Sequence, residues 1–169
     1  MCIRDRVDYE GELVAVIGTG GKDIAEADAY DHIAGFTIGQ DISDRPAQFM
    51  AKPAHFALGK SFDTYGPLGP WVVSCDAFAD PDDLALRTVI DGEELQNDRT
   101  SNLIFNVPYL VSFLSHITTL SPGDLIWTGT PEGIGFSQGK LLQDGQVITT
   151  EIEGIGAMVN PCRRVSDWR

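Results

Sequence analysis

The stretch Asp8-Tyr-Glu-Gly-Glu-Leu-Val-Ala-Val-Ile17 combines a charged start with an apolar, largely β-branched continuation. Its second half, residues 13–17, predicts a buried strand, because a short apolar run that ends at a glycine-rich turn is typical of one. That turn follows at once as Gly18-Thr-Gly-Gly21. Glu10 and Glu12 stand two positions apart, so a strand places both side chains on one face. The stretch therefore predicts two carboxylates held side by side next to a buried strand.

The rest of the chain is predicted to form strands with isolated helices. A helix is expected from Asp23 to about Ile33, since Asp23-Ile-Ala-Glu26 resembles a capping box. A second helix, Val107–Ile117, has a proline in its first turn and one apolar face. Strand-like runs are residues 36–38, 71–73, 87–90, 94–96, 125–128, 146–152 and 156–159. This order lacks regular strand–helix–strand repeats and predicts an α+β domain.

The charge balance argues against two classes of partner. Twelve Lys and Arg against 25 Asp and Glu give the 169 residues a formal net charge of −13, which repels a phosphate backbone. No uncharged run approaches the ~20 apolar residues of a membrane span. The cysteines are odd in number and widely spaced, unlike a disulfide framework. We therefore expect one cytoplasmic domain that binds no nucleic acid and no membrane.

Asp41 is the candidate for a third carboxylate beside Glu10 and Glu12. It follows the apolar run at residues 36–38, and loops at the ends of strands often carry ligands. Like charges held close together repel unless a cation or a proton lies between them. Hard divalent ions such as Mg²⁺ or Ca²⁺ prefer oxygen ligands. Exposed acids on a strand, or an aspartate in a turn, are the commoner explanation of each residue taken alone.

Arg45 and Gln48 are candidates for binding an anionic substrate. They lie four and seven residues beyond Asp41, so a helix or a tight loop could turn them to one side. Arginine binds carboxylates through two parallel contacts, and glutamine offers both a donor and an acceptor. A surface position is equally plausible for both from local sequence alone.

Lys60 and Thr130 are two further candidates. Lys60, in Gly59-Lys-Ser-Phe-Asp63, could neutralise an anion or stabilise an enolate, although its stem could instead pack on Phe62 with the charge in water. Thr130 lies in the glycine-rich loop Thr128-Gly-Thr-Pro-Glu-Gly-Ile-Gly135, whose amides and hydroxyl could hold a carboxylate or phosphate. A simple turn also explains that loop.

Seven stretches, taken together, carry a resemblance to a known family. They are Asp8-Tyr-Glu-Gly-Glu-Leu13, Gln40-Asp-Ile-Ser-Asp-Arg45 with Gln48, Gly59-Lys-Ser-Phe-Asp-Thr64, Gly66-Pro-Leu-Gly-Pro-Trp71, Pro122-Gly-Asp-Leu-Ile126, Thr128-Gly-Thr-Pro131 and Ile152-Glu-Gly-Ile-Gly156. In wording and order they closely resemble the fumarylacetoacetate hydrolase family, from Val7 to about Asn160. The resemblance implies a mixed β-sandwich roll with a few flanking helices, usually assembled as a homodimer.

The resemblance also implies the site and its chemistry. It implies a divalent ion, Mg²⁺ or alternatively Mn²⁺ or Ca²⁺, at the metal-ligand positions Glu10, Glu12 and Asp41. The positions that hold the oxo-acid and carboxylate groups of the substrate match Arg45, Gln48, Lys60 and Thr130. Lys60 is also the expected catalytic residue, because it would favour the enolate that leaves after C–C cleavage.

The implied reaction is hydrolysis of a C–C bond in an acylpyruvate-type 2-oxo acid through a metal-bound enolate. Isomerase, hydratase, decarboxylase or lyase action on a related acid uses the same metal and enolate chemistry and stays open. A third possibility is a fragment that binds metal and oxo acid with little catalysis.

Two departures from the family pattern affect these expectations. Asp44 stands where many members have alanine and adds a negative charge beside the site, which points to a subgroup with another substrate. Family hydrolases also carry a His-Glu pair on a lid segment before the strand that bears Glu10 and Glu12. Residues 1–6 contain neither residue type. We expect residues 1–6 to be a stub outside the family and residues 7–169 to be a catalytic domain that lacks this lid segment.

Overall fold

A computed structural model describes residues 1–3 and 6–164 of the chain. The strands are β1 (Cys2–Ile3), β2 (Val7–Asp8), β3 (Gly11–Ile17), β4 (Ile33–Gln40), β5 (Ser43–Asp44), β6 (Leu68–Val73), β7 (Ala85–Ile90), β8 (Glu93–Arg99), β9 (Leu125–Trp127), β10 (Val147–Ile152), β11 (Gly156–Pro161) and β12 (Arg163–Arg164). The α-helices are α1 (Arg45–Phe49), α2 (Phe56–Gly59), α3 (Val107–Ile117) and α4 (Gly135–Gln138). Short 3₁₀ helices are Glu26–His32, Cys75–Ala77 and Thr100–Asn102. In the described part of the chain, no helix has the length and apolarity to cross a membrane.

Two four-stranded antiparallel sheets form the body of the fold. Their strand orders are β6-β4-β3-β9 and β11-β10-β7-β8. Two small pairs accompany them, β2 with β5 in antiparallel and β1 with β12 in parallel orientation. Buried apolar residues from both large sheets share one core, among them Leu13, Phe36, Ile38, Leu86, Ile126, Ile152 and Met158. This arrangement confirms the predicted mixed α+β fold with a few flanking helices.

Gly11 allows the two sheets to approach each other closely. A Cβ at this position would lie 2.4 Å from Thr88 Oγ1 and 3.2 Å from Thr150 Cγ2, both on the opposite sheet. Since side chains alternate along a strand, the flanking Glu10 and Glu12 point the other way, to the face of the sheet away from this contact. In the Glu-Gly-Glu sequence, Gly11 therefore packs against the second sheet, and the carboxylates of Glu10 and Glu12 lie on the opposite face.

Gln40 fills the space beside Gly11 and is fully buried. Its Oε1 accepts a hydrogen bond from the backbone N–H of Glu10 at 3.0 Å. Its Nε2 donates to Thr150 Oγ1 at 2.8 Å and to Thr88 Oγ1 at 3.3 Å. A buried amide must have its donors and acceptors paired, so this network fixes the start of β3 against the second sheet.

The predicted helix Val107–Ile117 is confirmed as α3. Asn106 caps it by accepting a hydrogen bond from the backbone N–H of Tyr109 at 2.9 Å. Its most buried face is Val107, Val111 and Ser115, with Leu110 and Leu114 packed against the core. Ile117, the last residue of the helix, is 66 % exposed.

The expectation of a helix starting with a capping box at Asp23 is wrong. Asp23 has a positive φ of 53°, a left-handed backbone conformation that does not belong to a right-handed helix. The next residue, Ile24, is buried, and its backbone N–H donates to Ser115 Oγ of α3 at 2.9 Å. The helix therefore begins only at Glu26, and it is a 3₁₀ helix that ends at His32.

The segment predicted to be a stub contributes to the core. Ile3 has no exposed surface and packs in a second apolar cluster that includes Val7, Leu142, Ile148 and Cys162. β1 pairs with β12, so the described start of the chain lies beside its described end. Residues 4–5 of the predicted stub lie outside the described residues.

Candidate metal and oxo-acid site

Three carboxylates meet where strands β3 and β4 pair. Glu10 precedes β3, Glu12 lies on it, and Asp41 directly follows β4. The pairing of Gly11 with Gln40 brings Asp41 beside Glu10, and the backbone N–H of Asp41 donates to the Glu10 carbonyl at 2.8 Å. One oxygen from each of the three side chains lies within 4.8 Å of the other two. The structure thus brings the three predicted metal ligands together.

Lys60 faces this cluster rather than the solvent. It caps the C-terminal end of α2, and its Nζ donates to Glu10 Oε2 at 2.9 Å and contacts Asp41 Oδ2. Burial lowers the pKa of Lys60, but the hydrogen bonds to Asp41 and Glu10 outweigh it, so its pKa lies above the usual value. Lys60 is therefore an ammonium ion held against two carboxylates, not a lysine with its charge in water.

Arg45 is held in place by Asp8, which the sequence reasoning did not select. Asp8 has no exposed surface. Its Oδ2 accepts hydrogen bonds from Arg45 Nε at 2.9 Å and Nη2 at 2.6 Å. Its Oδ1 accepts from the backbone N–H groups of Tyr9 and Gly135, and Oδ2 accepts from that of Phe136. Only its place at the start of the conspicuous Glu-Gly-Glu stretch could have pointed to it.

Arg45 and Gln48 both lie on α1, are buried and contact each other, which is the helical alternative to the surface position that the sequence left open. Arg45 Nη2 also donates to Glu10 Oε1 at 2.5 Å, and its Nη1 donates to Gln48 Oε1 at 2.9 Å. Gln48 is fully buried, and its Nε2 has no hydrogen-bond partner among the described residues. A Cβ on Gly59 would lie 2.4 Å from Gln48 Cγ, so α2 packs directly against this side chain.

The loop after β9 closes the other side of the cluster. The backbone N–H of Gly129 donates to Glu12 Oε2 at 2.9 Å. The Thr130 hydroxyl donates to the Gly11 carbonyl at 2.9 Å and accepts from Gln96 Nε2 at 2.8 Å. Its single proton is therefore already engaged, and Thr130 could donate to a substrate only by releasing Gly11. Gln96 was not selected from the sequence.

Asp44 lies next to Arg45 and is nearly buried at 3 % exposure. It is the N-cap of α1, where its Oδ1 accepts a hydrogen bond from the backbone N–H of Ala47 at 2.9 Å. A cap carboxylate satisfies an orphan N–H and interacts favourably with the helix dipole. Stabilisation of the start of α1 therefore accounts for the negative charge that the sequence placed beside the site.

Burial dominates the protonation of the carboxylates. It raises the pKa of Glu12 to about 8, against the lowering effect of the Gly129 N–H, and the charges of Asp41 and Glu10 raise it further. The pKa of Asp41 is also raised, mainly by burial, although Lys60 opposes this. Both shifts show that burial makes the negative charges of Glu12 and Asp41 costly even with Lys60 beside them.

The donor set fits a hard divalent ion. Four buried or partly buried carboxylates, those of Asp8, Glu10, Glu12 and Asp41, face two cations. Asp8 is satisfied by Arg45 and backbone amides, which leaves the other three to share Lys60 and part of Arg45. A Mg²⁺ or Mn²⁺ ion prefers such oxygen ligands and would supply the missing positive charge.

Comparison with protein-family models and with curated proteins points to the same family that the motifs resemble. The model of the family described as "Fumarylacetoacetate (FAA) hydrolase C-terminal" matches residues 2–163, a range that begins inside the predicted stub. "Oxaloacetate tautomerase fahd2, mitochondrial" of Xenopus laevis is 41 % identical over 92 % of this chain and 49 % of its own length. The chain spans about half the length of the curated relatives it matches.

Solved structures give the same result. The 2-hydroxyhepta-2,4-diene-1,7-dioate isomerase of Mycobacterium marinum has a TM-score of 0.87 at 42 % identity, covering 96 % of this chain and 61 % of that one. The fumarylpyruvate hydrolase of Pseudomonas aeruginosa, solved with Mn²⁺ and pyruvate, has a TM-score of 0.87 at 33 % identity, covering 99 % and 70 %. With the family model spanning nearly the whole sequence, the chain belongs to the fumarylacetoacetate hydrolase family.

Proposed function

We propose that the chain is the metal-binding catalytic part of a hydrolase that cleaves a C–C bond in an acylpyruvate-type 2-oxo acid. The observation that carries the proposal is the cluster of Glu10, Glu12 and Asp41, with the Lys60 ammonium against two of its members. The pyruvate and Mn²⁺ found with the Pseudomonas aeruginosa hydrolase support this choice of substrate and cofactor class. Mg²⁺ as the ion, a homodimer and a cytoplasmic location are parts of the same proposal.

In this proposal the three carboxylates hold the metal ion, and Gln48 and Arg45 bind the substrate. A divalent ion at the three carboxylates would polarise the 2-oxo group when bound. Gln48 Nε2, which lacks a partner among the described residues, would donate a hydrogen bond to a substrate oxygen and so recover the cost of its burial. Arg45 contributes positive charge next to that position and holds Gln48 by its Oε1.

Lys60 would act at the bond that breaks. Water attacks the distal carbonyl, the C–C bond cleaves, and its electron pair becomes the enolate of pyruvate, which then takes a proton from solvent. The other product is the carboxylic acid of the acyl group, so one water is consumed for each acylpyruvate. The Lys60 ammonium, which lies against Glu10 and Asp41, would stabilise the negative charge on the enolate oxygen.

A second candidate is keto–enol exchange or isomerisation of a related oxo acid. The Xenopus laevis relative is named an oxaloacetate tautomerase and the Mycobacterium marinum relative a dienedioate isomerase. Such reactions move a proton between carbon and oxygen and need no attacking water. The same carboxylate cluster and Lys60 could serve them.

Product analysis distinguishes these reactions. Metal-stripped protein is supplied with Mg²⁺ or Mn²⁺ and given acetylpyruvate, oxaloacetate or a hydroxy-dienedioate, and the products are followed by ¹H NMR. We expect equal amounts of pyruvate and acetate from acetylpyruvate, and none after addition of EDTA. Glu12→Ala should abolish this activity, whereas Glu26→Gln, a change at an exposed residue of the first 3₁₀ helix, should retain it.

Each alternative has its own outcome in this experiment. Full metal-dependent activity of Glu12→Ala would overturn the assignment of the metal ligands. Accelerated exchange of oxaloacetate without pyruvate from acetylpyruvate would replace the hydrolase by a tautomerase. Calorimetric binding of oxalate and Mg²⁺ without turnover of any of the three acids would identify a binding fragment with little catalysis.

A further inference from the structure

Gln96 is a buried side chain of the second sheet that reaches the strand bearing the carboxylates. It lies on β8 and is 1 % exposed. Its Oε1 accepts a hydrogen bond from the backbone N–H of Gly11 at 3.0 Å. Its Nε2 donates to Thr130 Oγ1 at 2.8 Å and to the Pro131 carbonyl at 3.1 Å. One amide group is therefore bonded both to β3 and to the loop after β9.

The bond to Gly11 lies beyond the part of β3 that pairs with β9. That pairing runs from Val14 to Val16. Further toward the start of β3, the N–H of Gly11 is bonded to Gln96 and its carbonyl to the Thr130 hydroxyl. Buried backbone groups need such partners when no neighbouring strand supplies them. Gly11 separates the two glutamates of the carboxylate cluster, so these two side chains fix the peptide between them.

The same amide holds the loop that carries Gly129. The N–H of Gly129 donates to Glu12 Oε2 at 2.9 Å. Residues 128–132 border a cavity of about 460 Å³, so close packing does not hold the loop on that side. Gln96 therefore acts on Glu12 from two directions, through the peptide that precedes it and through the N–H that binds its carboxylate.

We propose that Gln96 is a positioning residue that sets the geometry of the carboxylate cluster for a small, octahedral ion such as Mg²⁺. The metal site itself rests on the proposed function, whereas the role of Gln96 rests on its three hydrogen bonds. Loss of a group that orients metal ligands typically weakens metal binding about 10- to 100-fold. Mg²⁺ demands near-ideal octahedral geometry at about 2.0–2.1 Å, whereas Ca²⁺ accepts flexible geometry at about 2.3–2.6 Å. Removal of the amide should therefore weaken the binding of Mg²⁺ more than the binding of Ca²⁺.

Calorimetric titration of the metal-free protein with Mg²⁺ alone and with Ca²⁺ alone, at one fixed pH, tests this role. Gln96→Met keeps the length of the side chain but removes its hydrogen bonds. We expect the dissociation constant of Mg²⁺ to rise about tenfold or more and that of Ca²⁺ to rise less than about threefold. Thr130→Val removes the hydroxyl that lies between Gln96 and Gly11 and should give a smaller shift in the same direction. It carries the test if circular dichroism shows that Gln96→Met does not fold.

Ser115→Ala is the matched control, because Ser115 is fully buried and its Oγ also accepts a hydrogen bond from a backbone N–H, that of Ile24 at 2.9 Å. This variant should lower the urea midpoint without changing the ratio of the two dissociation constants. A loss of Ca²⁺ affinity as large as the loss of Mg²⁺ affinity, or no loss of either, would overturn the positioning role alone. Failure of the native protein to bind either ion would overturn it together with the proposed metal site.

Discussion

Oδ2 of Asp8 accepts two hydrogen bonds from the guanidinium of Arg45, at 2.9 Å from Nε and 2.6 Å from Nη2. Asp8 is completely buried and Arg45 is 6 % exposed, so water cannot substitute for either partner. The same carboxylate receives the backbone N–H groups of Gly135 and Phe136 at the start of α4. This single pair therefore orients the arginine beside Glu10 and also joins α4 to the site.

Asp8→Asn should destabilise the fold strongly. Removal of one partner leaves the buried charge of Arg45 without its main counterion, which typically costs about 3–5 kcal/mol. Urea unfolding measures the loss. Asp83→Asn removes the corresponding aspartate from an exposed pair with Arg99 and should change stability little. Equal effects of the two substitutions would mean that burial of the Asp8–Arg45 pair has no energetic importance.

Gly11→Ala should disturb both packing and metal binding. The new Cβ would lie 2.4 Å from Thr88 Oγ1, and overpacking of this kind typically costs about 1–3 kcal/mol. Because Gly11 separates Glu10 from Glu12, its displacement should also weaken Mn²⁺ binding, measured by calorimetry. The double variant Gly11→Ala/Thr88→Ala removes the clashing oxygen and should regain part of the lost stability. Strictly additive effects of the two changes would contradict the proposed clash.

Metal binding should be coupled to a proton on Glu12. With a pKa of about 8, Glu12 is largely protonated at pH 7 in the metal-free protein and must lose the proton to become a ligand. Mn²⁺ affinity should therefore rise about tenfold per pH unit below pH 8 and then level off. Calorimetry at pH 7 in two buffers of different ionisation enthalpy should detect release of about one proton. Glu12→Gln should bind more weakly and lose this pH dependence.

The stability of the metal-free protein should fall as pH rises, because of the same Glu12 carboxyl whose deprotonation strengthens Mn²⁺ binding. The ordinary pKa of the Glu12 carboxyl is 4.5 and its pKa in the fold is about 8, so the folded protein binds more protons between these values. The contribution of Glu12 to stability is therefore present in full below about pH 4.5 and is lost as pH rises to about 8. Glu12→Gln should flatten the fall in thermal midpoint between pH 5 and 8, whereas Glu26→Gln should leave it unchanged.

Thr130→Val separates a structural role from a role in substrate binding. The change keeps the shape of the side chain but removes the hydroxyl that joins Gly11 to Gln96, and unpaired buried groups cost about 1–3 kcal/mol. We expect a lower urea midpoint for this variant and a native-like midpoint for Thr130→Ser, which keeps the hydroxyl. A raised KM with unchanged stability would show that the hydroxyl acts on the substrate, as the sequence suggested.

The local pattern of the sequence was sufficient for several elements of the fold and site. The apolar run at residues 13–17 predicted β3, and the apolar periodicity of Val107–Ile117 predicted α3, because each pattern is a direct consequence of the geometry of the element. The motif resemblance predicted the family, which is confirmed. It also singled out Glu10, Glu12 and Asp41, which the fold brings together, while their role as metal ligands stays a prediction. The prediction of a helix start at Asp23 was wrong. The capping pattern is present there, but Ile24 is buried and its backbone N–H is bonded to Ser115 of α3 instead of starting a helix.

What the sequence by itself determined is the chemical type of each group and its place on a strand, turn or helix. Glu10 and Glu12, two positions apart in extended chain at the start of β3, had to point to the same side, since side chains alternate along a strand. Only the tertiary structure decided which partners those groups have. Asp8 meets Arg45 across 37 positions of the chain, and Glu10 meets Lys60 across 50. Contacts at such separation depend on how two sheets and three short helices pack, and no local pattern encodes them.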